Sequence, residues 1–337
     1  MSVTSELSEP NSPLSRFLRR ELPATARVTA SLRSRMPLRA PTVVPQSTQR
    51  PAYRSLGRAI DRRLRVAFGS PVDSALQEGV LYAGLDVGQA STRSAGQAVH
   101  SAGQALLSEL KGQPAAYGAT LLRPSSQEER LDRLCFAASH FEEIFRGGLK
   151  PGNPLLALEP ASVLDDLLSQ VPAYVPGDIA RQVELAQADH ALGWVTQLPL
   201  DQRVCAPVFS GSADVQGADA DFIADGRLID CKATVRPERF GERRDVHQLA
   251  AYLLLDYEDT YALDHVGFYL ARQGQLLTWT TQEFLSLLGA RRPLPALRAA
   301  LRQALTNPTA LEPEPGPPGL RGTQEGLFDE DDKDDGA

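Results

Sequence analysis

Gly217-Ala-Asp219-Ala-Asp221-Phe-Ile-Ala-Asp225-Gly226-Arg-Leu-Ile-Asp230-Cys231-Lys232 reads as two β-patterned runs around an Asp-Gly turn. That dipeptide tolerates the positive φ angles of a two-residue hairpin. Counting outward, Ala224 falls opposite Arg227, Ile223 opposite Leu228, Phe222 opposite Ile229, Asp221 opposite Asp230 and Asp219 opposite Lys232. Side chains alternate faces along a strand, so Asp219, Asp221, Asp230 and Lys232 are expected on one face. Facing carboxylates repel each other, and a cation between them relieves the repulsion. The group therefore reads as a cation site with a charged helper. The bland alternative is a solvated strand face neutralised by Lys232.

C-terminal to the hairpin, residues 236–244 form an arginine-rich loop broken by Pro237 and Gly241. Arg243 and Arg244 are its candidate phosphate contacts. Asp245 is placed as the cap of a helix over 246–256, where Gln248 and Tyr252 stand four apart and share a face. A second hairpin over 266–272 and 275–280 follows. Thr280 and Glu283 suit a capping box for a helix over 282–288. A last helix spans 295–305.

N-terminal to the hairpin, 203–210 reads as a strand. A helix over 178–194 is expected, with Asp178 as its N-cap. A long helix over 126–145 has Leu131, Leu134, Cys135, Ala138, Phe141 and Phe145 as its apolar stripe. Glu142 lies in that stripe and Glu143 points more outward; an acid on a core-facing side needs a partner or a task. Residues 73–110 look helical, with Gly-Gln-Ala at 88, 96 and 103 giving a smooth face for a close neighbour. A basic amphipathic helix fits 53–68.

This order predicts an α/β fold with a mixed sheet and helices on its faces. The organisation reads as a disordered basic arm over 1–50, a helical extension over 51–118, a main domain over 119–305 and a disordered acidic tail over 306–337. Residues 1–70 hold 13 arginines against four acids, whereas 311–337 hold nine acids against Arg321 and Lys333. The basic arm suits nucleic-acid phosphates. The chain is 42% hydrophobic and 23% charged, ordinary for a globular protein. No apolar run approaches the ~18 residues of a membrane span. Three scattered cysteines fit a reducing, cytoplasmic setting without a disulfide framework or zinc spacing.

Asp221 and Asp230 offer oxygen ligands suited to Mg²⁺ or Mn²⁺, with the Cys231 carbonyl as a further ligand. Such an ion polarises a phosphate oxygen and lowers the pKa of a bound water. Lys232 would position that water or stabilise transition-state charge. Asp221, then Asp230-Cys231-Lys232, then Gln248-Leu-Ala-Ala-Tyr252 resembles the PD-(D/E)XK nuclease superfamily, in particular its RecB/Cas4-like branch. The resemblance covers about residues 126–290. It implies a restriction-endonuclease-like core, with Asp221 and Asp230 as metal ligands and Lys232 as the catalytic lysine. It also implies that Gln248 and Tyr252 hold the substrate strand. The superfamily often adds a glutamate from an early helix, for which Glu142 is the candidate and Glu143 the runner-up.

The sequence departs from the pattern in three places. No proline precedes Asp221, Asp219 competes for the first-ligand role, and the histidine of many RecB-like members has only His140 and His190 as counterparts. There is no phosphate-binding Gly-x-x-x-x-Gly-Lys-Ser/Thr loop and no cysteine set for an iron–sulfur cluster.

In the tail, Gln324-Glu-Gly-Leu327-Phe328 resembles the peptide that binds the bacterial sliding clamp. Leu327 and Phe328 are an apolar pair in a polar segment, able to anchor in a pocket. The expected function is thus a metal-dependent deoxyribonuclease of DNA repair, recombination or defence. Two alternatives stand beside it: a non-catalytic DNA-binding adaptor that bridges DNA and a partner such as the clamp, and an RNA-directed nuclease.

Overall fold

The computed structural model describes residues 3–36, 41–116, 120–188 and 190–307. It is an α/β fold, a five-stranded mixed sheet flanked by helices. Strands β1 (Arg203–Cys205) and β3 (Arg227–Lys232) both run antiparallel to β2 (Phe222–Ala224), which lies between them. Strand β4 (His265–Leu270) lies parallel to β3, and β5 (Gln275–Thr280) lies antiparallel to β4.

The register of the central hairpin is the one expected over its three paired positions, with Phe222 opposite Ile229, Ile223 opposite Leu228 and Ala224 opposite Arg227, and β2 begins after Asp221. Asp225 and Gly226 take φ values of 48° and 70°. Both central residues are therefore left-handed, as a turn matching the right-handed strand twist requires.

The helices before the sheet are α1 (Val3–Ser8), α2 (Pro13–Glu21), α3 (Thr25–Arg35), α4 (Tyr53–Ala67), α5 (Ser74–Ala90), α6 (Arg93–Lys111), α7 (Ser125–Gly147), α8 (Leu164–Ser169) and α9 (Tyr174–Ala186). Those within or after it are α10 (Arg243–Leu255), α11 (Thr281–Leu287) and α12 (Leu294–Thr306). Helix α10 is the crossover that lets β4 run parallel to β3.

Strand alternation divides the core between two layers. Phe222, Ala224, Ile229 and Tyr269 join the core built with α4 to α9. Ile223, Leu228, Phe268 and Leu270 join the core built with α2, α3, α10, α11 and α12. The small-residue face of α5 and α6 is used for close approach. A Cβ on Gly96 would stand 2.4 Å from the Gly84 carbonyl oxygen, and one on Gly79 2.4 Å from that of Phe141.

Several expectations are corrected. Residues 3–36 are not a disordered arm. Ser12 caps α2 by accepting the Ser15 N–H at 3.1 Å, and Leu14, Phe17, Leu18, Val28 and Leu32 are fully buried against the sheet layer. Trp279 Nε1 donates to Ser31 Oγ at 3.0 Å, tying α3 to β5. Residues 51–118 are no separate extension, because α4, α5 and α6 share one core with α7 and α9.

The strand expected over 203–210 shortens to β1, where the left-handed Ala206 (φ 48°) breaks it. Beyond that break, Val208 forms a bridge with Asp219. The helix expected over 178–194 begins at Tyr174 and ends at Ala186. Asp178 is therefore no cap. Its carboxylate is fully buried against Arg272, accepting from Nη1 at 2.8 Å and Nη2 at 2.9 Å. Nor does Asp245 cap the helix, since α10 starts at Arg243 and Asp245 accepts the Gly241 N–H at 3.1 Å. Thr280 caps α11 as expected, accepting from the Glu283 N–H at 3.1 Å. The tail from 308 onward, with Gln324, Leu327 and Phe328, lies outside the described residues.

Phe17→Ala separates a packed N-terminal segment from a loose arm. Removing this buried ring is expected to destabilise the protein by about 3–5 kcal/mol in urea unfolding. A change near zero would mean that α2 does not belong to the core.

Candidate active site at the central hairpin

Asp230 and Lys232 lie on β3 with the parity of Leu228, so their side chains face the layer that contains α10. Helix α10 places Gln248 and Tyr252 one turn apart over that face. The result is a continuous polar chain. Lys232 Nζ meets Asp230 Oδ2 at 2.8 Å and donates to Gln248 Oε1 at 3.1 Å. Gln248 Nε2 in turn donates to the Tyr252 hydroxyl at 2.8 Å. The lysine thus fixes the orientation of the amide, and the amide fixes the phenol.

Asp221 stands immediately before β2. Its Oδ2 accepts the Cys231 N–H at 2.6 Å, and its Oδ1 receives Arg65 Nη2 at 3.4 Å. The two backbone groups of a strand residue face the same neighbour. The Cys231 carbonyl is therefore on the same edge of β3 as the Asp221 carboxylate.

Burial raises the pKa of Asp221, and the charge of Asp230 raises it further. Burial likewise raises Asp230, with Lys232 opposing. For Lys232, burial works against the charged form, but Asp230 and then Asp221 outweigh it and hold the amine above the ordinary lysine value. Tyr252 is also raised, by burial and then by Asp230. The site therefore holds two carboxylates whose charge burial disfavours, Asp221 further so through Asp230, and one ammonium ion that stays protonated.

Sequence reasoning missed the acid and arginine that α4 brings to this cluster. Arg65, buried on α4, bonds Asp61 at 2.8 Å, Asp73 at 2.9 Å and Asp221 at 3.4 Å. Burial pushes the Asp61 carboxyl up to about 7; Arg65 opposes that push and Asp221 adds to it. Asp61 Oδ1 is buried without a hydrogen-bond partner among the described residues. The Asp61–Arg65 spacing of four was the available signal.

Other candidates stand elsewhere. Glu142 is buried but accepts from Arg62 Nε at 3.1 Å and also bonds Arg62 Nη2, so it does not join the acid pair. Glu143 pairs with Lys150 at 3.6 Å. Asp219 does not stand across from Lys232. It bridges to Val208, and the charges acting on it are those of Arg146, Asp73 and Arg65. It lines a neighbouring cleft of about 650 Å³ together with Tyr252, Arg146, Phe145, Val3 and Thr4.

Arg243 and Arg244 are both exposed. Arg244 lies one turn before Gln248 and donates to the Thr4 carbonyl at 3.4 Å. His140 is buried edge-on to Phe136, and burial lowers its pKa to about 4; His190 is exposed. Among the described residues, no three His, Cys, Asp or Glu side chains converge as a metal cage. No described helix is long and apolar enough to cross a membrane.

Comparison with protein-family models finds no match, and comparisons with curated proteins and with solved structures find none either.

The Asp61 carboxyl makes a pH prediction. Its pKa rises from 3.8 to about 7 on folding. The stability it contributes is therefore complete below its unfolded value and lost as pH climbs through the folded one. Asp61→Asn stays neutral throughout. Relative to that variant, wild type should lose stability on the order of a few kcal/mol between about pH 4 and pH 8 in denaturant unfolding. A stability gap that is flat across this window contradicts the assignment.

Proposed function

We propose that the protein is a metal-dependent nuclease that hydrolyses DNA phosphodiester bonds on a restriction-endonuclease-like core. The observation that carries this reading is the chain Asp230–Lys232–Gln248–Tyr252 with Asp221 beside it, in which a charged lysine and a polar helix face converge on two acids. The resemblance to the PD-(D/E)XK nucleases assigns roles to these same residues.

The donor set suits a hard divalent cation. Mg²⁺ is typically held by one or two carboxylates, with waters and substrate phosphates completing its shell, rather than by an all-protein cage. Asp221 and Asp230 supply two such carboxylates, and the Cys231 carbonyl a third oxygen on the same edge. Their raised pKa values and the orphaned Asp61 Oδ1 mark a space with excess negative potential. When bound, Mg²⁺ or Mn²⁺ supplies neutralisation of phosphate charge and acidification of water.

The chain's own residues do the rest. Asp221 and Asp230 would hold the cation against the sheet. Lys232, protonated across the neutral range, sets a positive charge against the negative charge that grows on the phosphorane-like transition state. Gln248 holds Lys232 from its far side, so the ammonium is positioned before substrate arrives. Tyr252 connects this cluster to the cleft and offers a hydroxyl to the substrate strand there.

A second reading rests on the cations already present. Arg65 on Asp221 and Lys232 on Asp230 largely neutralise the pair without a metal. In that reading the same fold binds DNA without turnover.

Assays on single-stranded, linear, nicked and circular DNA with Mg²⁺ and Mn²⁺ separate the two readings. Wild type is expected to cleave at least one form. Asp230→Asn and Lys232→Ala should each lower the rate by about 10²-fold or more while leaving DNA affinity largely intact. Binding without cleavage of any form under either metal would establish the adaptor reading instead.

A further inference from the structure

Helix α4 carries charges that the acid pair leaves unused. Arg54 and Arg58 stand one turn apart and share a face, and Asp61 follows three residues later. Arg146 comes from the last turn of α7. Among the described residues none of these three arginines has an ion pair or a hydrogen bond, and Arg58 Nη1 is buried without a partner. The carboxylates nearest in charge to Arg58 are Glu142 and Glu143. Both are already engaged, Glu142 by Arg62 and Glu143 by Lys150.

The placement is unfavourable in the free protein. Like charges four apart on a helix repel each other. Arg54 lies in the first turn, where the helix dipole is already positive, and Ala52 offers no side-chain cap. Each of these features would be relieved by one polyanion lying across the start of α4 and the end of α7. That path reaches the cleft that Arg146 lines with Tyr252, and Tyr252 connects through Gln248 and Lys232 to Asp230.

An aromatic surface lies beside the path. Phe145, next to Arg146, stacks on Tyr82 with ring centroids 6.4 Å apart and planes 3° from parallel. Tyr82 is 41% exposed, and its neighbours Leu81 and Leu85 are half and more than half exposed. Basic side chains beside a stacked, solvent-facing aromatic suit single-stranded nucleic acid, whose bases are free to stack while its phosphates meet the arginines.

We propose that Arg54, Arg58 and Arg146 form a phosphate track, with Tyr82 and Phe145 as its stacking platform, that leads single-stranded DNA to the Asp221–Asp230 pair. This rests on the nuclease reading for its destination but not for its existence. Binding without turnover isolates the track from the chemistry. The probe is a fluorescein-labelled single-stranded oligodeoxynucleotide, followed by anisotropy in EDTA over a series of NaCl concentrations.

Arg54→Gln and Arg146→Gln are each expected to weaken binding and to reduce the slope of log K against log[NaCl] by about 0.7, the share of one single-strand phosphate. Arg58→Lys, which keeps the charge, retains the slope. Tyr82→Ala weakens binding without changing the slope, and Arg291→Gln, an exposed arginine elsewhere, leaves both as in wild type. Circular dichroism confirms that each variant is folded. Wild-type affinity and slope in both Arg54→Gln and Arg146→Gln would overturn the track. A duplex bound more tightly than the single strand, with Tyr82→Ala silent, would overturn its single-strand assignment. Intact track binding with no cleavage under Mg²⁺ or Mn²⁺ would instead remove the nuclease reading and leave the track standing.

Discussion

The electrostatic balance around Asp221 is the constraint on which the site depends. Burial and then the charge of Asp230 make the Asp221 charge harder to keep, and Asp221 in turn raises Asp61. Lys232 from the same sheet and Arg65 from α4 are the counterweights. At short range inside a protein such interactions are several times stronger than in water. The fold therefore has to bring both signs together at once. It does so by joining a hairpin, which carries Asp221 at the start of one strand and Asp230 and Lys232 on the other, to helices from the two layers that cover the sheet.

Much of this arrangement was legible in the sequence where it rests on local geometry. The turn at Asp225-Gly226 sets the register, and strand parity then places Asp230 and Lys232 on one face. Helical spacing puts Gln248 and Tyr252 together, and the crossover carries them over β3. Each of these steps spans few residues and follows from a fixed period of 2 or 3.6. The part that stayed hidden depends on long-range pairing. Arg65 and Asp221 are 156 residues apart in the chain, and no local period connects them. Glu142 shows the same limit from the other direction. Its phase correctly put it on a buried face, but phase does not say which cation waits there, and Arg62 holds it. Asp219 shares the parity of the site, yet the strand that should carry it to Lys232 gives way, and it bridges to Val208 on the other side.

The N-terminal segment shows how composition can mislead. Proline, serine and many arginines suggested a solvated arm, while Leu14, Phe17 and Leu18 already had the spacing of one helix face. In the folded chain that face is buried against the sheet layer. Val3 closes the contact by donating its N–H to the Gly217 carbonyl at 3.0 Å, beside the cleft that Tyr252 and Asp219 line. The start of the segment thus packs beside the site, while Arg20 and Arg35 bond Glu21 and Glu283 away from it.

The central claim is that Asp221 and Asp230 together hold a divalent cation, with Lys232 as the charged helper. Titration with Mn²⁺ followed by electron paramagnetic resonance, on wild type and on Asp230→Asn, reads this without substrate or turnover. The account predicts saturable binding of Mn²⁺ by wild type, accompanied by a rise in melting temperature as the ion stabilises the folded state, with both effects lost in the variant. No saturable binding by wild type, or equal binding by Asp230→Asn, would contradict it.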